Sequence, residues 1–203
     1  MIAYPVHYAV EKPARFTRLQ LVVRLVASVA LGLLGLSLGL LYLVAYMALP
    51  AFAASRLSGR DPDTYLREDA SRVVRMLGWL GAVYAWFALV TDALPSRAPD
   101  EQVHIAVEPM GTPTAASALW RLLLGLPSAL VLAFLGCIGG FVWLWSALKV
   151  LLFEQVGDGA HAYLVGVQRW SLRLLAYQAS LVDVYPPFSF DDGPAVVPHA
   201  VVR

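Results

Sequence analysis

The sequence predicts an all-α membrane protein: four transmembrane helices arranged as two parallel helical-hairpin repeats, with short surface strands. Three observations point there. Of 203 residues, 59% are hydrophobic and 14% charged, and mean hydropathy is +0.66. Soluble domains are about 45–50% apolar and about 25% charged. Long apolar runs recur, each near the ~20 residues that a membrane span needs. Finally, a short motif near the start returns 97 positions later.

The first predicted span is Leu25 to Leu49, between Arg24 and Pro50. At 1.5 Å per residue it measures ~37 Å, enough to cross with tilt. Its length and the polar lead before it argue for an uncleaved helix rather than a signal peptide. The second span, Met76 to Leu94, extends a charged lead with Asp61 as N-cap and Pro62 in the first turn. The third is Leu122 to Leu148. The fourth, about Ala162 to Val184, holds Gln168, Arg169 and Arg173. Arginine at mid-bilayer costs roughly 2.5–3.5 kcal/mol on insertion scales, so these two are expected near the interface or facing protein. A helix lying along the membrane surface is the alternative.

Val6-His7-Tyr8-Ala9-Val10-Glu11 reappears as Val103-His104-Ile105-Ala106-Val107-Glu108. Arg24 and Arg121 follow at the same distance, and Asp92-Ala93-Leu94-Pro95 answers Asp183-Val184-Tyr185-Pro186. This divides the chain into a first repeat, 1–98 (strand 5–11, span 25–49, helix 62–94), and a second, 99–190 (strand 103–108, span 122–148, helix 160–184). A tail, 191–203, is expected to be extended. Two spans per copy would return the chain to its starting side, making the repeats parallel about an axis along the membrane normal. The alternating strand motifs could pair and join the halves.

That topology would gather Glu11, Arg24, Asp92, Glu108, Arg121 and Asp183 at one membrane face. Arginine and carboxylate pair bidentately, so the cluster reads as structural clamps or as a headgroup site. Gly35 and Gly39, and Gly136 and Gly140, form GxxxG patterns that let helices approach closely. Tyr185, Pro186, Pro187, Phe188 and Phe190 cannot continue a helix and suit extended docking on a partner. Only His7 and His104, with Glu11 or Glu108, could approach a metal, and none is expected. No histidine lies mid-span to hold a haem, and Ser28, Ser37, Ser128 and Ser146 lack a histidine at their depth. Walker, GxGxxG, HExxH and CxxC motifs are absent from the sequence. The lone Cys137 excludes an internal disulfide. A net charge of +1 gives no electrostatic basis for binding nucleic acid.

Tyr4-Pro5-Val6, Glu11-Lys12-Pro13-Ala14-Arg15, Arg169-Trp170-Ser171-Leu172-Arg173 and Asp183-Val184-Tyr185-Pro186-Pro187-Phe188-Ser189 carry a resemblance. Together they resemble an uncharacterised family of bacterial integral membrane proteins, a domain of unknown function. The resemblance implies location and topology and brings no activity. The first copy departs from the closing motif, with Arg72-Val73-Val74-Arg75 and Asp92-Ala93-Leu94-Pro95. The second departs from the opening one, where Glu108-Pro109-Met110 lacks the arginine.

The expected function is a non-catalytic accessory subunit or assembly factor of a larger bacterial envelope complex, without cofactor. A small oligomeric transporter or lipid-binding protein is the alternative, and a lipid-modifying enzyme using Asp92 and Asp183 is a third reading. Expected partners are other integral membrane proteins and membrane lipids. The expected location is the bacterial inner membrane, multi-pass, with termini in the cytoplasm. Basic residues divide almost evenly between the sides, so orientation rests on the flank of the first span.

Overall fold

The computed structural model describes residues 4–95 and 103–191. Its elements, in order, are β1 (Val6–Val10), α1 (Arg18–Leu33), α2 (Leu38–Leu57), α3 (Pro62–Glu68) and α4 (Ala70–Phe87). They continue with β2 (Val103–Val107), α5 (Ala115–Leu124), α6 (Leu126–Phe153) and α7 (Asp158–Gln178). The described residues are mostly helical, with one two-stranded sheet among them.

The expected first span is broken. Gly35 takes a left-handed φ of +71°, which only glycine adopts without strain, and Ser37 Oγ accepts the Leu40 amide to start α2. The run 25–49 is apolar on both sides of this break, so hydropathy hides it. The third run divides more gently: Gly125 closes α5, and α6 begins at Leu126 with Pro127 in its first turn. The expected helix 62–94 divides at Asp69 and ends at Phe87, beyond which Leu89 sits at φ +58°. The fourth helix ends at Gln178, six residues earlier than expected, with Ser180 at φ +56°.

Among the described residues, α2 and α6 are the two helices long and apolar enough to cross a membrane. Most side chains of both helices face outward. In contrast, α7 is the core helix: Leu164, Trp170, Leu172, Leu174 and Leu175 are all buried, beside Leu77, Ala82 and Ala85 of α4. Its arginines depress its hydropathy, yet they face protein.

β1 and β2 pair antiparallel, Tyr8 opposite Ile105 and Val6 opposite Val107. They are not surface strands on both faces. Val6 and Tyr8 are fully buried against the helices, and Tyr8 Oη donates to Gln168 Oε1 at 2.8 Å. The expected parallel hairpins are also corrected. The Phe16 amide just before α1 donates to Glu154 O at the end of α6, 2.9 Å away, and Arg18 Nε donates to Leu151 O. At the other end of the molecule α2 packs on α5, with Tyr46 Oη donating to Leu122 O at 2.7 Å. The two long apolar segments therefore run in opposite directions. The physical reason is that each strand is itself a traverse. Tyr4, before β1, donates to Val184 O beyond the end of α7, whereas Lys12, after β1, pairs with Asp158 at the start of α7.

Candidate functional site

The most unusual chemistry in the chain is its buried arginine. Arg24 is fully buried and Arg121 nearly so. A buried guanidinium is costly unless its charge and donors are answered; the turn that ends a helix supplies the counter-charge of both, although Arg24 Nε and Nη1 have no hydrogen-bond partner among the described residues. After α4, the left-handed Leu89 reverses the chain, with the Val90 amide bonding back to Ala85 O. This presents Thr91 O and Asp92 to Arg24 Nη2 at 2.5 and 2.9 Å. After α7, Ser180 plays the same part, with the Leu181 amide bonding to Ala176 O. Arg121 then donates to Tyr177 O at 2.9 Å, to Val182 O at 2.5 Å and to the Asp183 carboxylate.

Each guanidinium also lies over an aromatic ring, Trp86 for Arg24 at 5.1 Å and Tyr177 for Arg121 at 4.6 Å. The second carboxylate oxygen holds backbone leading into the apolar segment. Asp92 Oδ2 accepts the Thr17 amide at 2.6 Å, and Asp183 Oδ2 accepts the Thr112 amide at 2.9 Å. Gly111, at φ +106°, leaves no room for a Cβ against Asp183.

Four of the six charges expected at one face thus stand as two separate pairs at opposite ends of α7. The Arg24 pair adjoins Val90, whose carbonyl accepts His161 Nε2–H at 3.0 Å near the start of α7. The Arg121 pair lies at the far end, at Tyr177. The separation follows from the opposed directions of the two segments. Glu11 and Glu108 are exposed, and among the described residues neither side chain reaches either arginine.

The other expected residues also differ in place. No pair of helices closes on Gly35, Gly39, Gly136 or Gly140. Gly35 is the helix break. A Cβ at Gly136 or Gly140 would meet open space, and one at Gly39 only Ser37 Oγ. Antiparallel register puts His7 opposite Ala106 and His104 opposite Ala9. No group of three metal-ligating side chains occurs among the described residues.

The aromatic tail folds back on its own chain instead of standing free. Tyr185 packs on Tyr177 at 5.5 Å, Phe188 on Trp170 at 5.1 Å and Phe190 on Tyr163 at 5.7 Å. Pro186 is buried, while Pro187 is exposed. Of the tail proper, only Asp191 is among the described residues.

Two arginines whose role the sequence did not disclose bind this latch to β1. Arg173 Nη2 donates to Asp191 O at 2.8 Å and its Nε to Val6 O at 3.3 Å. Arg169 Nε donates to Tyr8 O at 2.9 Å, and its Nη1 to Phe190 O. Their i, i+4 spacing, which stacks two side chains on one helix face, is the signal that could have found them.

His161 supplies a pH prediction. Burial lowers its pKa below the ordinary 6.5, so the folded chain holds it neutral. The unfolded chain then binds more protons below about pH 6.5, and stability falls as pH drops from that value towards the lower folded one. Thermal midpoints between pH 7.5 and 5 should decline, and His161→Gln should flatten that decline. An unchanged slope in the variant would assign the decline to other groups.

No curated protein and no solved structure matches the chain. Residues 115–189, which hold Arg121, all of α6 and α7 and the Tyr185–Ser189 turn, match the family model described as Domain of unknown function (DUF4389), consistent with the resemblance to an uncharacterised family.

Proposed function

We propose that the chain is a multi-pass protein of the bacterial inner membrane that acts as a non-catalytic accessory subunit or assembly factor of a larger envelope complex. One observation carries this reading: the buried arginines Arg24, Arg121 and Arg173 all donate to backbone carbonyls of the chain itself. Charge that a catalyst or transporter would aim at a substrate is here committed to holding helix ends, strand and tail together. Meanwhile α1, α2, α5 and α6 expose large apolar side chains, including Leu33, Leu130, Phe134 and Phe141. So extensive an exposed apolar surface fits lipid and partner helices. The matching clamps after α4 and α7 further support two copies of one unit, related by opposed rather than parallel direction.

The test is recovery of the tagged chain from its native membrane in gentle detergent. Stoichiometric integral membrane partners are expected. Leucine at both Gly136 and Gly140 extends into open space, so that variant should remain monodisperse and lose those partners by blocking close helix approach. Recovery of the wild-type chain alone would overturn the accessory reading.

A further inference from the structure

Where α6 ends and α7 begins, the two helices leave an open groove of about 520 Å3. That lies within the ~300–1,000 Å3 typical of small-molecule sites. Its walls are Phe141 and Trp145 of α6, Tyr163 of α7 and the glycine backbone at Gly157 and Gly159. Phe141 and Trp145 are 77% and 60% exposed, so the groove opens on the outward apolar face of a helix long enough to cross a membrane.

Lys149 stands one turn beyond Trp145. A Cβ built on Gly157 would lie 3.5 Å from Lys149 Nζ, which places the ammonium at the rim of the groove. Among the described residues no carboxylate lies within ion-pair distance of it; the Asp158 carboxylate that feels its charge is already held by Lys12 at 2.5 Å. The other cations near this end are matched: Lys12 with Asp158 at 2.5 Å, and Arg15 and Arg18 with Glu154 at 2.5 and 3.6 Å. Those three cations share two carboxylates, and Lys149 adds a further positive charge. A lysine one turn from the end of an apolar helix reaches toward the headgroup layer.

We propose that this groove is an anionic phospholipid site, with an acyl chain along Phe141, Trp145 and Tyr163 and the headgroup phosphate on Lys149 Nζ. An apolar channel with one unpaired cation at its rim complements an amphiphile with a single anionic head. A purely apolar partner helix would leave Lys149 with no direct ion-pair partner.

The proposal rests on the membrane reading, so the experiment separates the two. The full chain is first floated with phosphatidylcholine vesicles. It is then delipidated in detergent and offered equimolar phosphatidylglycerol and phosphatidylcholine, and bound lipid is counted by native mass spectrometry. Flotation with selective retention of phosphatidylglycerol is expected. Lys149→Gln should reduce that retention about fivefold, while Lys149→Arg keeps it. Gly159→Trp, whose side chain enters open space, should fill the groove and abolish retention. Flotation without selectivity, or selectivity untouched by Lys149→Gln or by Gly159→Trp, overturns the site alone. Failure to float overturns the membrane reading and the site with it.

Discussion

Replacing Arg121 with alanine should destabilise the chain by about 3–5 kcal/mol, the range for removing one partner of a buried pair. The loss has several parts. Tyr177 O and Val182 O would each lose a charged donor at 2.9 and 2.5 Å, and buried carbonyls without donors carry a desolvation penalty. Asp183 would lose its counter-charge, and Tyr177 the cation over its ring. Arg121→Lys should recover only a minor share, because one ammonium cannot reproduce the planar fork that reaches two carbonyls and a carboxylate together. Asp183→Asn should cost less: its side chain is 39% exposed, and Arg121 keeps both carbonyls. The check is the fraction of chain still monodisperse in detergent after stepwise heating. An Arg121→Ala variant within about 1 kcal/mol of the parent, the scale of an ordinary exposed ion pair, would show that the clamp adds little.

The second large effect is expected at Gly166. A Cβ there would lie 2.6 Å from Phe190 Cγ and 2.7 Å from Phe190 Cβ, closer than any real contact. Leucine must therefore expel Phe190 or shift the helix, at about 1–3 kcal/mol for an overpacked site. Expulsion would separate Phe190 from Tyr163 and Trp170 and break the Arg169 bond to Phe190 O. Limited proteolysis should then cut at Phe188–Asp191 in Gly166→Leu and spare the parent. Combining it with Phe190→Ala should be less damaging than the two changes summed, with a coupling of about 0.5–3 kcal/mol. A protected tail in Gly166→Leu, or strict additivity, would mean that Phe190 is not held in this notch.

The residues differ in how openly the sequence announces their roles. Arg24 and Arg121 stand out because each returns with an Asp-x-x-Pro turn, and charge at the edge of an apolar run demands a partner. Their place in the molecule is less legible. It depends on whether a five-residue strand lies flat or crosses the fold, and alternation of side chains says nothing about that. The break at Gly35 is masked because leucine fills both sides, while a glycine's φ is invisible to hydropathy. α7 misleads in the opposite sense: Arg169 and Arg173 make a core helix look polar, although their guanidinium groups are answered by carbonyls of β1 and the tail. For the GxxxG glycines, local spacing permits a close approach but cannot say that another helix is there to make it. The tail is the same problem at longer range, since its docking surface, Gly166 to Trp170, is built by a separate helix.

The bond from Arg173 Nε to Val6 O joins residues 167 positions apart, and that distance sets a timetable. At synthesis rates of about 5–20 residues per second, the first strand is made roughly 8–33 s before the arginine that holds it. Tyr8 gains its strand partner Ile105 after about 97 residues, roughly 5–19 s, but Val6 and Tyr8 wait for α7 until the end of the interval. Strand β1 is therefore made long before it is secured: a nascent chain paused before residue 103 leaves its edge unpaired, and one paused before residue 158 leaves its apolar face without α7. Such an edge is a substrate for holdase chaperones and for proteases of quality control.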